Sequence, residues 1–260
     1  MRTTTHRQDE IDVDLDQPLH VEVWGSGTRV VMIHGSLATG ADEWQAQRPL
    51  ADLGFELVVP DRRGYGASPV VTGEDFLVDA ADITALMGDG AHLVGHSYGG
   101  LGAMHAAALN PTATRSLTLL EPPVTSIATD DPRVRDFDEA VRTLWALDLP
   151  DDEWVARFLE MVGTDPTELP AELLDAATAM VPVFRRGRPY FEAAPPVTEI
   201  ARGAYPKLVV SGGYDPAWEA LCTELAARIG GEGAVIGGAG HEIQFAGDPV
   251  NERLIELWRS

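Results

Sequence analysis

The chain has one cysteine and one lysine in 260 residues. Cys222 has no partner for an internal disulfide. Its place beside Leu221 and near Leu225, inside a helical pattern, marks a buried structural thiol rather than a nucleophile. Lys207 stands alone against 18 arginines, a skew that reads as codon bias or salt-adapted composition rather than chemistry. Positive charge is scarce altogether: 19 basic and 41 acidic residues leave a formal charge of −22. Such a surface repels phosphate backbones and anionic lipid, which argues against nucleic acid or membrane as a partner. No apolar run approaches the ~18 residues of a membrane-spanning helix. Residues 1–17 are polar and acidic, without the apolar core of an export signal, so the expectation is a soluble, cytoplasmic protein, monomeric or homodimeric. Metal-ligand clusters, phosphate loops and dinucleotide fingerprints are missing too, so neither cofactor nor metal is expected.

What is present centres on His92-Leu93-Val94-Gly95-His96-Ser97-Tyr98-Gly99-Gly100-Leu101. A short apolar run stops at Gly95, Ser97 follows, and two more glycines open an Ala-rich stretch over 102–109 that reads as helix. The pattern is strand, tight turn, helix. Such a turn pushes its central residue into sparsely allowed backbone space while holding Ser97 Oγ clear of the main chain, over a helix N-terminus that favours developing negative charge.

Around it, strands and helices alternate. Residues 19–24 alternate polar and apolar, turn at Gly25-Ser26-Gly27, and lead into 30–33, apolar throughout as a doubly buried strand should be; together they predict an opening hairpin. Residues 55–59, 117–120, 207–211 and 234–236 are further strands. Residues 76–87, 218–229 and 250–258 are helices, and 61–68 is a turn-rich loop. Over 122–205 the rhythm changes to apolar helical faces (Val134, Phe137, Val141, Leu144; Trp154, Phe158, Leu159; Leu174, Ala177, Val181, Phe184) punctuated by Pro150, Pro166, Pro170 and Pro182. The expected architecture is therefore α/β: a mostly parallel central sheet flanked by helices. Residues 1–121 and 206–260 form its core, and 122–205 is inserted as a lid of three or four helices.

Parallel sheets gather function at the carboxyl ends of their strands. The residues just past each run are His34-Gly35-Ser36-Leu37, Asp61, Ser97, Glu121, Asp215 and His241. With the loop Asp61-Arg62-Arg63-Gly64-Tyr65-Gly66-Ala67-Ser68, the elbow Gly95-His96-Ser97-Tyr98-Gly99, and the stretches Gly212-Gly213-Tyr214-Asp215 and Gly238-Ala239-Gly240-His241, the chain resembles the α/β-hydrolase fold family, in its lid-bearing, serine esterase-like branch.

A serine hydroxyl needs a base. Of the seven histidines, His6 lies in the polar N-terminus, His20 and His92 in or beside strands, His105 in the helix behind Ser97, and His96 inside the elbow. His34 belongs to a turn to which the resemblance gives a structural role. His241, in a Gly-rich loop after the last strand, is the expected base. Asp215, 26 residues earlier, completes the order Ser, Asp, His and is the expected orienting acid, with Glu121 as its rival. The resemblance implies an oxyanion hole from the backbone N–H groups of Ser36 and Tyr98. Trp145, Trp154, Met161, Met180, Phe184, Tyr190 and Phe191 offer apolar walls, two or three of them facing substrate. Arg185-Arg186-Gly187-Arg188 is expected at a solvated lid edge, with a clamp on a substrate carboxylate as the alternative.

These features imply a serine hydrolase that cleaves a small or medium apolar carboxylic ester or lactone through an acyl-enzyme. Two alternatives stay open. One is the same triad used for C–C or thioester cleavage or for cofactor-free oxygenation. The other is a lidded small-molecule receptor.

Overall fold

A computed structural model of the chain describes residues 13–260; His6 and the first part of the acidic N-terminal stretch lie outside the described residues. Strands β1 (Val21–Gly25), β2 (Thr28–Ile33), β3 (Phe55–Pro60), β4 (Ala91–His96), β5 (Thr114–Leu120), β6 (Lys207–Ser211) and β7 (Glu232–Val235) form one sheet in the order β1-β3-β2-β4-β5-β6-β7. Every neighbouring pair is parallel except β1–β3.

The predicted opening hairpin does not form: β1 pairs with β3, which inserts between β1 and β2. Leu57, Val58 and Val59 of β3 are buried on both faces and need a strand on each side. In β1, by contrast, Val23 faces solvent while Trp24 is buried, a half-polar strand suited to an edge.

Alternation along the central strands divides the core in two. On one face Val31, Ile33, Leu93, Leu117, Leu119 and Val209 pack with α2 (Phe76–Leu86), α3 (Ser97–Leu109) and α8 (Pro216–Ile229). On the other, Val30, Met32, Leu57, Val94, Leu120 and Val210 pack with Trp44, just past the short α1 (Gly40–Glu43), with Leu50 of a 3₁₀ segment, and with Val250, Leu254 and Trp258 of α9 (Asp248–Trp258). Each of these aliphatic side chains contributes roughly 1.5–3 kcal/mol by leaving water.

Between β5 and β6 lie α4 (Pro132–Ala146), α5 (Asp151–Met161), α6 (Ala171–Arg186) and α7 (Val197–Arg202). Leu144, Trp154, Val155, Ala177, Val181 and Phe184 form a third cluster here, and Phe137 meets Trp218 of α8 with ring centroids 5.1 Å apart. Pro182 does not end a helix as expected. It lies inside α6, because burial of Ala177, Val181 and Phe184 on one face outweighs the ~3 kcal/mol typical of an interior proline.

Candidate active site

The strand–turn–helix read around Ser97 is formed by the end of β4 and the start of α3. Ser97 has φ 47°, a left-handed conformation that side chains rarely adopt. Gly99 is required by proximity: a Cβ there would stand 2.3 Å from the His34 carbonyl oxygen.

The loop after β7 brings His241 over the elbow. Its ring lies against Trp218 and His96, with centroids 4.8 and 4.9 Å away, and its Nε2 is 3.1 Å from Ser97 Oγ. Nδ1 is 2.7 Å from Glu121 Oε2. Glu121 is fully buried at φ 42°, a backbone bend at the end of β5, and its Oε1 accepts the Gly212 N–H at 2.7 Å. With Nδ1 donating to the carboxylate, Nε2 is left as an acceptor facing the serine hydroxyl.

Asp215, the expected acid, is not at His241. Its Oδ1 accepts from the Ala217 N–H at 2.7 Å and the Trp218 N–H at 3.3 Å, so it caps α8, with Pro216 in the first helical position. The rival, Glu121, holds the place beside the imidazole. An Asp-Pro pair before an apolar helical run is itself a helix start, and capping occupies the carboxylate.

Burial lowers His241 to about 3, with the neighbouring His96 acting in the same direction, and raises Glu121 to about 8 against the opposing Gly212 N–H. The imidazole therefore rests neutral, as a base must.

Ser36 and Tyr98 both line the cavity in front of Ser97. The Ser36 hydroxyl is committed elsewhere, donating to Glu74 Oε1 at 2.8 Å. Arg62 fixes the loop that carries Ser36: it donates to the carbonyls of His34 and Gly35, each at 3.0 Å, and to the carboxylates of Glu74 and Asp79, at 2.8 and 2.9 Å. His34 serves the same loop, its Nδ1 donating to Gly35 O at 2.7 Å while Nε2 accepts the Arg62 N–H. Asp61 accepts backbone N–H groups from Gly40 and Ala67 and stays out of the cavity.

The Arg185–Arg188 stretch clamps nothing in the cavity. Arg185 donates to the carbonyls of Leu147 and Leu149 beyond the end of α4, and Arg188 pairs with Asp75 at 2.9 Å. Cys222 is buried with its thiol pushed up by desolvation, as a structural thiol should be.

The cavity holds about 210 Å³. Ser36, Ser97 and His241 meet apolar walls that include Leu159, Val162, Trp218 and Phe245. Of the seven expected wall residues, Met180, Phe184 and Tyr190 line it. Among the described residues lining it there is no lysine or arginine, whereas Asp42, Glu43 and Glu242 do line it. Ligand atoms of Glu43, His96 and Glu242 lie within 4.8 Å of one another. Both His96 ring nitrogens already face protein oxygens, of Glu43 at 3.1 Å and of the His241 carbonyl at 3.0 Å, so the trio leaves no imidazole nitrogen for a metal. Glu43, Glu74, His96 and Trp218 escape a reading by local pattern, since their partners lie tens of residues away. Among the described residues no helix is long and apolar enough to cross a membrane.

Comparison with known proteins agrees with this architecture. A lipase of Mycobacterium tuberculosis, LipV, is 34% identical over 174 residues, which is 62% of this chain and 63% of that protein. A 2-hydroxy-6-oxo-6-phenylhexa-2,4-dienoate hydrolase of Burkholderia cepacia is 32% identical over 114 residues, 40% of each chain. The chain thus spans less than two thirds of either relative. An α/β hydrolase structure from Sphaerobacter thermophilus superposes with a TM-score of 0.69 at 25% identity, covering 93% of this chain and 96% of that one. The family model described as "Alpha/beta hydrolase family" matches residues 30–253, and on that match, with the elbow and the sheet order already described, the chain belongs to the α/β hydrolase family.

Proposed function

We propose that the chain is a serine hydrolase that cleaves small or medium apolar carboxylic esters or lactones through an acyl-enzyme, with Ser97 as nucleophile, His241 as base and Glu121, in place of Asp215, as the orienting acid. The observation that carries the reading is the continuous path Ser97 Oγ, His241 Nε2 at 3.1 Å, His241 Nδ1 to Glu121 Oε2 at 2.7 Å, at the floor of a largely apolar cavity.

In this mechanism Ser97 Oγ attacks the substrate carbonyl as its proton passes to His241 Nε2. Glu121 stabilises the imidazolium so formed, and the backbone N–H groups of Ser36 and Tyr98 receive the oxyanion. Collapse breaks the ester C–O bond, and the departing alcohol takes the proton from His241. Water then gives a proton to the same nitrogen, attacks the acyl carbon and releases the acid, returning the proton to Ser97. Helices α4 to α6, within residues 122–205, serve as the lid whose apolar side chains hold the acyl chain.

The C–C cleavage reading is the less supported, although several relatives carry dienoate or nonadienedioate hydrolase names. A dienoate substrate is a carboxylate, and the described cavity residues include Asp42 and Glu242 and no lysine or arginine to meet it, while His96 is held against Glu43. A panel of p-nitrophenyl esters with fluorophosphonate labelling tests the proposal. Turnover of neutral short-chain esters with covalent label on Ser97 is expected, and labelling of Ser97 without turnover of any ester or lactone would overturn it.

A further inference from the structure

The elbow histidine lies between the two loops that the reaction needs. His96 Nε2 is 3.0 Å from the main-chain carbonyl oxygen of His241, and Nδ1 is 3.1 Å from Glu43 Oε1. Both Glu43 oxygens in turn accept the Gly35 N–H, at 3.1 and 2.9 Å. Gly35 precedes Ser36, and it fits only as glycine, since a Cβ there would stand 2.9 Å from His96 Nδ1 and 3.3 Å from Ser97 Cβ.

A carbonyl oxygen only accepts, so His96 Nε2 carries a proton. Glu43 accepts the one Gly35 N–H on both oxygens, as a carboxylate does; burial raises Glu43, but His96 and that N–H both favour its ionised form, which places the shared proton on Nδ1. Resting on the hydrolase reading above, we propose that His96 stands as an imidazolium in the resting site, and that with Glu43 it forms a positioning pair that holds the Gly35–Ser36 loop and the His241 loop in register with Ser97.

The surroundings agree. His96 and Glu43 are almost completely buried. Burial alone would lower His96, but Glu43 of α1 and Glu242 of the His241 loop outweigh it and raise the imidazole to about 9. The other titratable groups facing it are His241, Glu121 at the end of β5 and His34 at the end of β2, and the field of a charged His96 lowers all three. The cation therefore has a second effect: it opposes retention of an extra proton by the Glu121–His241 pair and keeps the imidazole available as a base.

The test reads the imidazole directly and does not depend on turnover. In ¹⁵N-histidine-labelled parent protein at pH 7.5, with the His96 resonances assigned by their loss in His96→Gln, both ring nitrogens are expected at protonated shifts. The one-protonated, one-bare pattern of neutral imidazole would overturn the proposal. Should His96→Gln not fold, Glu43→Gln supplies the assignment, because it is expected to move the His96 resonances toward the neutral pattern. The second readout is the pH dependence of Ser97 labelling by a fluorophosphonate. Its acid limb is expected to move up by about one pH unit or more in either variant, the size set by loss of a unit charge about 5 Å away. An unmoved limb in folded variants would remove the electrostatic role. Failure of the hydrolase reading looks different: Ser97 is not labelled in the parent at any pH, while the nitrogen shifts still decide the state of His96.

Discussion

Glu121 and His241 are 120 positions apart in the chain and 2.7 Å apart at the site, with the carboxylate fully buried beneath the imidazole. Asp215, only 26 residues from His241, spends its carboxylate on the first turn of α8. The two acids therefore separate by variant. Glu121→Gln is expected to lower kcat by about 10³-fold or more on a neutral ester, the scale seen when a triad acid is neutralised. Asp215→Asn is expected to stay within a few-fold of the parent. Its paired Asp215→Ala is expected to cost about 1 kcal/mol of stability from the lost cap, read by urea denaturation. Equal kcat losses in Glu121→Gln and Asp215→Asn would return Asp215 to the mechanism.

The choice between these acids marks where the sequence stops being legible. Strand ends, the Ser97 elbow and the Gly-rich approach to His241 are written locally, in periodicity and glycine placement, and the sheet places them as read. Glu121 and Asp215 both follow neighbouring strands, and which one reaches the ring depends on a φ of 42° at Glu121 that no periodicity encodes. The order of β1 and β3 is hidden for the same reason: adjacency in sequence predicts a hairpin, while burial of β3 on both faces decides the pairing. Glu43 and His96 form a pair across 53 positions with no pattern linking them.

Burial raises Glu121 to about 8, so the carboxylate that the proposed mechanism uses to stabilise the imidazolium is lost as pH falls through that value. kcat/KM for a neutral ester is expected to rise with pH through about 8, and stopped-flow or buffered initial rates between pH 5 and 10 would show it. A profile flat from pH 5 upward would mean that the carboxyl is ionised throughout and that its burial is compensated.

The charge of the cavity sets a preference among acyl groups. Asp42 and Glu242 line it beside the mutually compensating Glu43–His96 pair, and no lysine or arginine does among the described residues. A p-nitrophenyl ester whose acyl chain ends in a carboxylate is expected to react at least about tenfold more slowly in kcat/KM than the neutral ester of equal length, a difference of about 1.4 kcal/mol. Added salt should narrow the gap by screening. An anionic ester that reacts as fast as its neutral match would show that the acyl end lies outside the reach of these carboxylates.

Ser97 holds a left-handed backbone at φ 47° in order to present its hydroxyl. Ser97→Gly removes both the proposed nucleophile and the steric cost of that conformation, about 1 kcal/mol. The variant is expected to lose hydrolysis by several orders of magnitude while its Tm rises by about 2–4 °C. Ser97→Ala keeps the strained backbone and is expected to lose activity without that rise, so the difference in Tm between the two variants reads the strain at the elbow less the added unfolded-chain entropy of glycine.

Asp79 is buried beside Arg62 behind the Ser36 loop, its carboxylate 2.9 Å from the guanidinium. Burial raises it to about 7, with the Glu74 carboxylate adding to the rise and Arg62 opposing both. The folded state therefore holds the Asp79 proton more tightly than the unfolded chain does. The stability this contributes is full below the ordinary aspartate range and is lost as pH rises through about 7. Urea unfolding of the parent is expected to show stability declining between pH 5 and pH 8. In Asp79→Asn that decline should shrink, because an amide keeps an oxygen for Arg62 and has no proton to lose. Removing the cation instead, by Arg62→Met, is expected to cost about 3–5 kcal/mol, since Glu74 and Asp79 are then left buried without their partner. A pH dependence in Asp79→Asn identical to the parent's would mean that Arg62 keeps Asp79 ionised across that window and that the ion pair offsets its burial in full.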